Sequence, residues 1–182
     1  FQHWGQVLYQ GQPLGAAPRP RLVQQHARLM MASTLDALAE HVRTRLGLAP
    51  GELRAWCAAY VERMGFPELT PLLGQPTMEL SPLHQRAVAI LREAAAAPAL
   101  LLVDEPDAHL EILRQKQVYV LLRDIANENG SQVVMVTHSE VILDEALDTN
   151  LTLLLEGRAD DLAKKHDIRN SLKHFGADHY VK

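Results

Sequence analysis

Cysteine occurs once in the 182 residues, at Cys57, so no disulfide can close within the chain and a disulfide-framed secreted scaffold is excluded. Cys57 sits in the helical-looking run Leu53 to Tyr60, where a buried structural thiol is expected and a reducing cytoplasm suits it best. Aromatic residues make up only 5%. No apolar stretch approaches the roughly 20 residues needed to span a bilayer. No basic segment leads into an apolar core with a cleavage site, so no secretory signal is read. The chain opens on Phe1 rather than Met, and is expected to be a fragment or a processed product. A strong charge of one sign is lacking too: 18 Lys and Arg stand against 22 Asp and Glu, a formal charge of −4 that gives no overall argument for a nucleic-acid or anionic-membrane surface. What remains is ordinary globular material, 47% hydrophobic and 22% charged, enough for one domain or for a domain with a helical piece appended.

The pattern along the chain divides it in four. Residues 1–21 are rich in Gln, Gly and Pro and read as irregular, with loops or strand remnants. Residues 22–78 read as a helical arm: Leu35, Leu38, Val42 and Leu46 fall at three- and four-residue steps, Pro50-Gly51 interrupts, and Glu52 to Met64 resumes. Residues 79–157 alternate helices with apolar runs. Ser81-Pro82 opens a helix to about Ala96, Ala99 to Val103 is continuously apolar, a long helix runs to Asn127, and Gln132–Val136 and Leu151–Leu155 are two more short apolar runs around a helical segment near Glu140 to Ala146. Short, wholly apolar runs separated by helices indicate a parallel sheet covered on both faces, hence an α/β fold. Residues 158–182 are expected to form a C-terminal linker helix.

Asp104 and Glu105 end the run Leu100-Leu101-Leu102-Val103 and are followed by Pro106. Open parallel sheets bind ligands beyond the carboxyl ends of their strands, and two adjacent carboxylates there can divide the work of phosphoryl transfer. Asp104 is expected to hold Mg²⁺, an ion that wants oxygen ligands and keeps part of its hydration shell. Glu105 is expected to act as general base on the attacking water. A solvated acidic turn is the alternative. His138 closes the apolar run Val133 to Val136, at the same edge of the expected sheet. Ser81 is a good N-cap and Pro82 suits a first helical turn, so the free N–H groups of that helix could face a phosphate; an ordinary capped helix is the alternative.

Together these residues resemble the second half of an ABC-type ATPase domain, with a P-loop NTPase fold. Leu100 to Pro106 is similar to the Walker B strand, Glu79-Leu80-Ser81-Pro82-Leu83-His84-Gln85-Arg86 to the signature motif, Asp107-Ala108-His109-Leu110-Glu111 to the D-loop, and Val136-Thr137-His138-Ser139 to the switch-histidine loop. Phe1-Gln2-His3 is read as a remnant of the glutamine loop. The resemblance implies ATP and Mg²⁺ as cofactors, with Asp104 at the metal, Glu105 and His138 catalytic, and Ser81, Gln85, Asp107 and His109 at the nucleotide. It also implies a homodimer closed around ATP, in which Ser81 meets the γ-phosphate held by the second subunit. The glycines usual behind that serine are missing, Leu83 and His84 standing in that stretch. The phosphate-cradling Walker A loop, which needs Gly-Lys-Ser/Thr, does not occur in this sequence: Lys116, Lys164, Lys165, Lys173 and Lys182 follow Gln, Ala, Lys, Leu and Val. A partner half carrying it is therefore implied.

Asp104-Glu105-Pro106-x-x-His109-Leu110 looks more like the ATPases of the overcoming-lysogenization-defect (OLD) family than like transporters, and the tail Gly157 to Lys182 resembles their linker into a Toprim-type nuclease domain. On that resemblance the complete protein is a cytoplasmic ATPase that controls a nuclease acting on DNA. Two alternatives stand beside it: a transporter-type ATP-binding subunit, whose arm would dock on membrane helices, and a non-catalytic interaction module that has lost nucleotide binding.

Overall fold

The computed structural model describes residues 8–13, 19–26, 33–139, 141, 151–155 and 158–162, the last two stretches as backbone. They fall into two compact units, Phe1–His138 and Ser139–Lys182. In the first, three short strands run parallel in the order β3 (Arg21–Val23), β4 (Leu100–Asp104), β5 (Gln132–Val136). The register sets Leu22, Leu102 and Val134 side by side, and likewise Val23, Val103 and Met135. The second row faces the core, with Val23 and Val103 fully buried. The first row is left open, Leu22 being 50% and Val134 45% exposed. The sheet thus has one packed face and one bare apolar face. Ahead of it, β1 (Leu8–Tyr9) and β2 (Gln12–Pro13) pair as a tight hairpin whose corner residues, Gln10 and Gly11, both take the positive φ that a two-residue turn of this hand demands.

The arm is made of α1 (Thr34–Ala39), α2 (Arg43–Leu46) and α3 (Pro50–Arg63), followed by 3₁₀ turns at Pro67–Leu72 and Thr77–Glu79. Ser33 starts α1 by accepting from the amide of Asp36, and that hydroxyl, with Arg43 behind it, holds the Asp36 carboxyl below its ordinary range. Pro50 occupies the first turn of α3, where its missing N–H costs nothing, and Glu52 reaches back to the amide of Ala49 at 2.9 Å. Of the periodic residues, Leu38 and Val42 are fully buried, and Leu35 and Leu46 pack at the margin. The same core runs on through Val61, Leu69 and Leu73 into α4 (Pro82–Ala94), α5 (Ile112–Asn129) and the packed face of the sheet. Tyr60 anchors the join, its hydroxyl donating to the carbonyl of Leu91 at 3.0 Å. A buried carboxylate makes a second join: Glu93 on α4, 6% exposed, is met by Arg92 at 3.0 Å, His41 at 3.1 Å and, from β3, Arg21 at 3.6 Å. A charge so placed is tolerable because it is paired.

Three expectations need correction. The arm does not begin at Leu22, since Arg21–Val23 is a strand; three residues are too few to show a period, and their pairing partners lie far along the chain. Leu151–Leu155 is a strand (β6), but it pairs antiparallel with β7 (Arg158–Leu162) in the second unit and has no place in the parallel sheet. Arg158 to Leu162 therefore does not begin a linker helix. The expected helix near Glu140 to Ala146 and the tail beyond Leu162 lie outside the described residues, as does Gln2.

Cys57 is fully buried on α3, and that burial pushes its thiol up to about 11. Only the thiolate is a nucleophile, so an aromatic disulfide reagent at pH 8 is expected to leave the folded chain unlabelled and to label it at once in denaturant. Rapid stoichiometric labelling of the folded chain would contradict this placement.

Candidate functional site

The carboxyl ends of β3, β4 and β5 lie at one edge of the sheet, and each strand sends a polar residue into the loop that leaves it. β4 ends at Asp104, whose carboxylate is exposed and makes no hydrogen bond or ion pair with another described residue. The backbone then turns sharply. Glu105 has φ +42, a value that side-chain-bearing residues seldom adopt and that costs on the order of 1 kcal/mol or more, and its amide is tied to the carbonyl of Val136 at 2.9 Å. This turn swings the Glu105 side chain sideways along the sheet edge.

Both oxygens of that carboxylate are engaged. Oε2 accepts from Nε2 of Gln25, just beyond β3, at 2.7 Å. Oε1 lies 3.2 Å from Nε2 of His138, just beyond β5. With a carboxylate opposite, that nitrogen must carry its proton to bond at all. Glu105 is 29% exposed and His138 84%, so the carboxylate is half-sheltered while the imidazole on one of its oxygens is open to solvent. A carboxylate gripped at both ends is fixed in direction, yet enough of it stays open to meet a small molecule.

The following turn buries Asp107, 6% exposed, and Thr137 Oγ1 donates to its Oδ1 at 2.9 Å, so the loops after β4 and β5 are tied together a second time. His109 sits exposed in the same turn with φ +63. Its position presents the ring to solvent.

Ser81 and Gln85 stand apart, at the start of α4. The Ser81 hydroxyl accepts from the amide of His84 at 3.3 Å, an N-cap bond, and Pro82 occupies the first helical position. The Gln85 amide donates to the carbonyls of Met78 and Leu80, at 3.1 and 2.9 Å, and so folds the incoming chain over the helix end. The link from α4 to the carboxylates is its next residue: Arg86 Nη1 donates to the carbonyl of Gln25 at 2.7 Å.

Sequence reasoning reached Asp104, Glu105 and His138 and missed Gln25. The glutamine read from the sequence was Gln2; the one that touches Glu105 is Gln25, 80 positions from it. A signal did exist, since Leu22-Val23 is an apolar pair followed directly by Gln24-Gln25.

Comparison with known proteins gives a consistent account of this architecture. Residues 85–144 match the family described as "AAA domain, putative AbiEii toxin, Type IV TA system". The hemin import ATP-binding protein HmuV of Shewanella denitrificans is 32% identical over 143 residues, 74% of this chain and 56% of that protein. The taurine import ATP-binding protein TauB of Chromobacterium violaceum is 31% identical over 161 residues, 86% of this chain and 59% of that protein. The chain thus spans about half the length of these curated relatives. Among solved structures, CbiO1 from Clostridium perfringens, part of the ABC transporter complex CbiONQ, superposes with a TM-score of 0.72 at 20% identity, over 98% of this chain and 73% of that one. The fold that carries Glu105, Gln25 and His138 is accordingly that of the ABC-type ATPases, a parallel sheet flanked by helices.

Proposed function

We propose that this chain supplies the metal-holding and water-activating half of an ABC-type ATPase. The observation that carries the reading is the Glu105 carboxylate at the end of β4, held by Gln25 on one oxygen and His138 on the other. So aimed, Glu105 takes the proton of the attacking water while Gln25 and His138 keep its lone pairs directed along the sheet edge. The His138 imidazole, 84% exposed, could swing its Nε2 proton from Glu105 to a γ-phosphate oxygen. Asp104 suits Mg²⁺, since it is an exposed hard-oxygen ligand with no competing partner among the described residues. Bound there, the ion would neutralise charge on the β- and γ-phosphates.

The rest of the nucleotide site lies with groups this sequence does not carry. The bare apolar face of the sheet, with Leu22 and Val134 exposed, supports the packing of a further segment of the fold, and the phosphate-cradling Gly-Lys-Ser/Thr loop belongs to that segment. Gln25, rather than Gln2, then serves as the glutamine of the glutamine loop. Ser81, at the N-terminus of α4, faces the γ-phosphate of a second subunit, so that ATP closes a homodimer. Gln85 serves this role indirectly, by fixing the approach of Met78 to Ser81. Asp107 and His109 line the turn at the same interface, with Asp107 acting through Thr137.

For the complete protein we favour a cytoplasmic ATPase that controls a Toprim-type nuclease acting on DNA, on the resemblance of the Asp104-Glu105-Pro106-x-x-His109-Leu110 arrangement to the OLD family. A transporter-type ATP-binding subunit is the second reading, favoured by the import proteins among the relatives. No helix among the described residues is long and apolar enough to cross a membrane.

Phosphate release tests the proposal. The complete protein is expected to hydrolyse ATP and to lose that activity when Mg²⁺ is chelated, whereas the 182-residue chain alone shows neither turnover nor micromolar ATP binding by calorimetry. Tight ATP binding by the chain alone would refute the divided site. ATP-dependent DNA cleavage by the complete protein supports the nuclease reading, and co-purification with an integral membrane partner supports the other.

A further inference from the structure

Arg86 has no part in the chemistry assigned above, yet its side chain lies between the loop after β3 and the loop after β4. It projects from the first turns of α4, and its Nη1 donates to the carbonyl of Gln25 at 2.7 Å and lies 3.5 Å from that of Gln24. The backbone there has just left β3 and pairs with no further strand among the described residues, so the guanidinium supplies an anchor there. From the same residue, Gln25, the side-chain amide goes on to Glu105 Oε2 at 2.7 Å. Two hydrogen bonds in series thus join α4 to the carboxylate that activates water. Burial lowers the Arg86 pKa while the charge of Asp107 opposes that change, and Asp107 is in turn bonded to Thr137, the neighbour of His138. The cation therefore faces the loop after β3 through hydrogen bonds and the loop after β4 through its field. A planar guanidinium on a packed stem can meet adjoining carbonyls in a way a lysine ammonium does only in part.

Resting on the ATPase reading above, we propose that Arg86 is a positioning residue: by holding the Gln25 carbonyl it keeps the Gln25 amide on Glu105, and it passes displacements of the Ser81 end of α4 to the general base. Closure of a second subunit on Ser81 would then be felt at Glu105 through Arg86 and Gln25. Loss of Arg86 disturbs the aim of the carboxylate and leaves the groups that hold the nucleotide in place.

The test uses the complete protein. Arg86→Ala is expected to lower kcat about tenfold with KM for MgATP held within about twofold, since a misaimed base is felt in the transition state and not in binding. Arg86→Lys is expected to restore part of the rate, and stands in for the alanine variant should that one not fold. Because Arg86 acts through Gln25, Gln25→Ala with Arg86→Ala should be no slower than Gln25→Ala alone. Hydrogen exchange should quicken in the peptide covering residues 21–26 when Arg86 is replaced. A multiplicative double mutant, a raised KM at unchanged kcat, or unchanged exchange at 21–26 would each overturn the proposal. Turnover that survives Glu105→Gln would instead overturn Glu105 as the general base, and absence of ATP hydrolysis by the unaltered complete protein would overturn the ATPase reading; in either case the exchange result still decides whether Arg86 holds the Gln25 segment.

Discussion

Glu105→Gln in the complete protein is expected to leave ATP binding nearly intact and to cut turnover by at least the roughly 10²-fold that a general base contributes. The substitution removes the basic oxygen and little else. A glutamine side chain has the same length, its amide oxygen can still accept from Gln25 Nε2, and the site is 29% exposed, so no buried charge is stranded. The variant should hold ATP without cleaving it, and the dimer that ATP closes should become visible by light scattering. His138→Ala should behave in the same way, with less severity. Its imidazole touches Glu105 Oε1 at 3.2 Å but is 84% exposed, so its loss frees one end of the carboxylate while Gln25 keeps the other. The measurement is single-turnover cleavage beside equilibrium binding. If both variants bind and turn over as the wild type does, Glu105 is a solvated turn residue and the general base lies elsewhere.

Asp104→Asn should produce a different pattern, with binding and rate falling together. Asp104 stands one residue earlier, where β4 still pairs with β5 opposite Val136, and it is exposed with no described partner for its carboxylate. Replacing that charge removes an anionic ligand from the metal, and charged hydrogen-bonding or coordinating contacts of this kind are worth about 1.5–3 kcal/mol, which is roughly a ten- to hundredfold loss in MgATP affinity. Folding stability should move by no more than about 0.5 kcal/mol, as for exposed positions away from packing and caps. Calorimetric titration with MgATP and a denaturant melt separate the two effects. A destabilised variant with normal affinity would mean that Asp104 ends the strand and does nothing for the ligand.

These contrasts rest on one distinction between local and distant information. Leu100 to Pro106 could be read in full, because a buried strand announces itself by five adjacent apolar residues and the two carboxylates follow it without a gap. The same holds for α4, whose Ser81-Pro82 start is a local chemical signal, and for the long α5, which ends at Gly130 with the left-handed φ that suits glycine. His138 was within reach for a like reason: it stands two residues beyond the end of an apolar run. Leu151–Leu155 was equally legible as a strand, but nothing local says which sheet a strand joins, and the expected parallel partner was replaced by the adjacent Arg158–Leu162.

By itself, then, the sequence determined that a parallel strand presents Asp104 and Glu105 at its carboxyl end, that a second strand presents His138, and that Ser81 caps the helix between arm and sheet. Each of these follows from residues within a few positions of one another. Only the tertiary structure decided that the glutamine on Glu105 is Gln25, that Arg86 bonds the carbonyl of that glutamine, and that Asp107 is bonded by Thr137 and buried. Those contacts join residues 80, 61 and 30 positions apart. They depend on the register of three strands, and a three-residue strand such as Arg21–Val23 is too short to declare either its period or its partner before the sheet that receives it has formed.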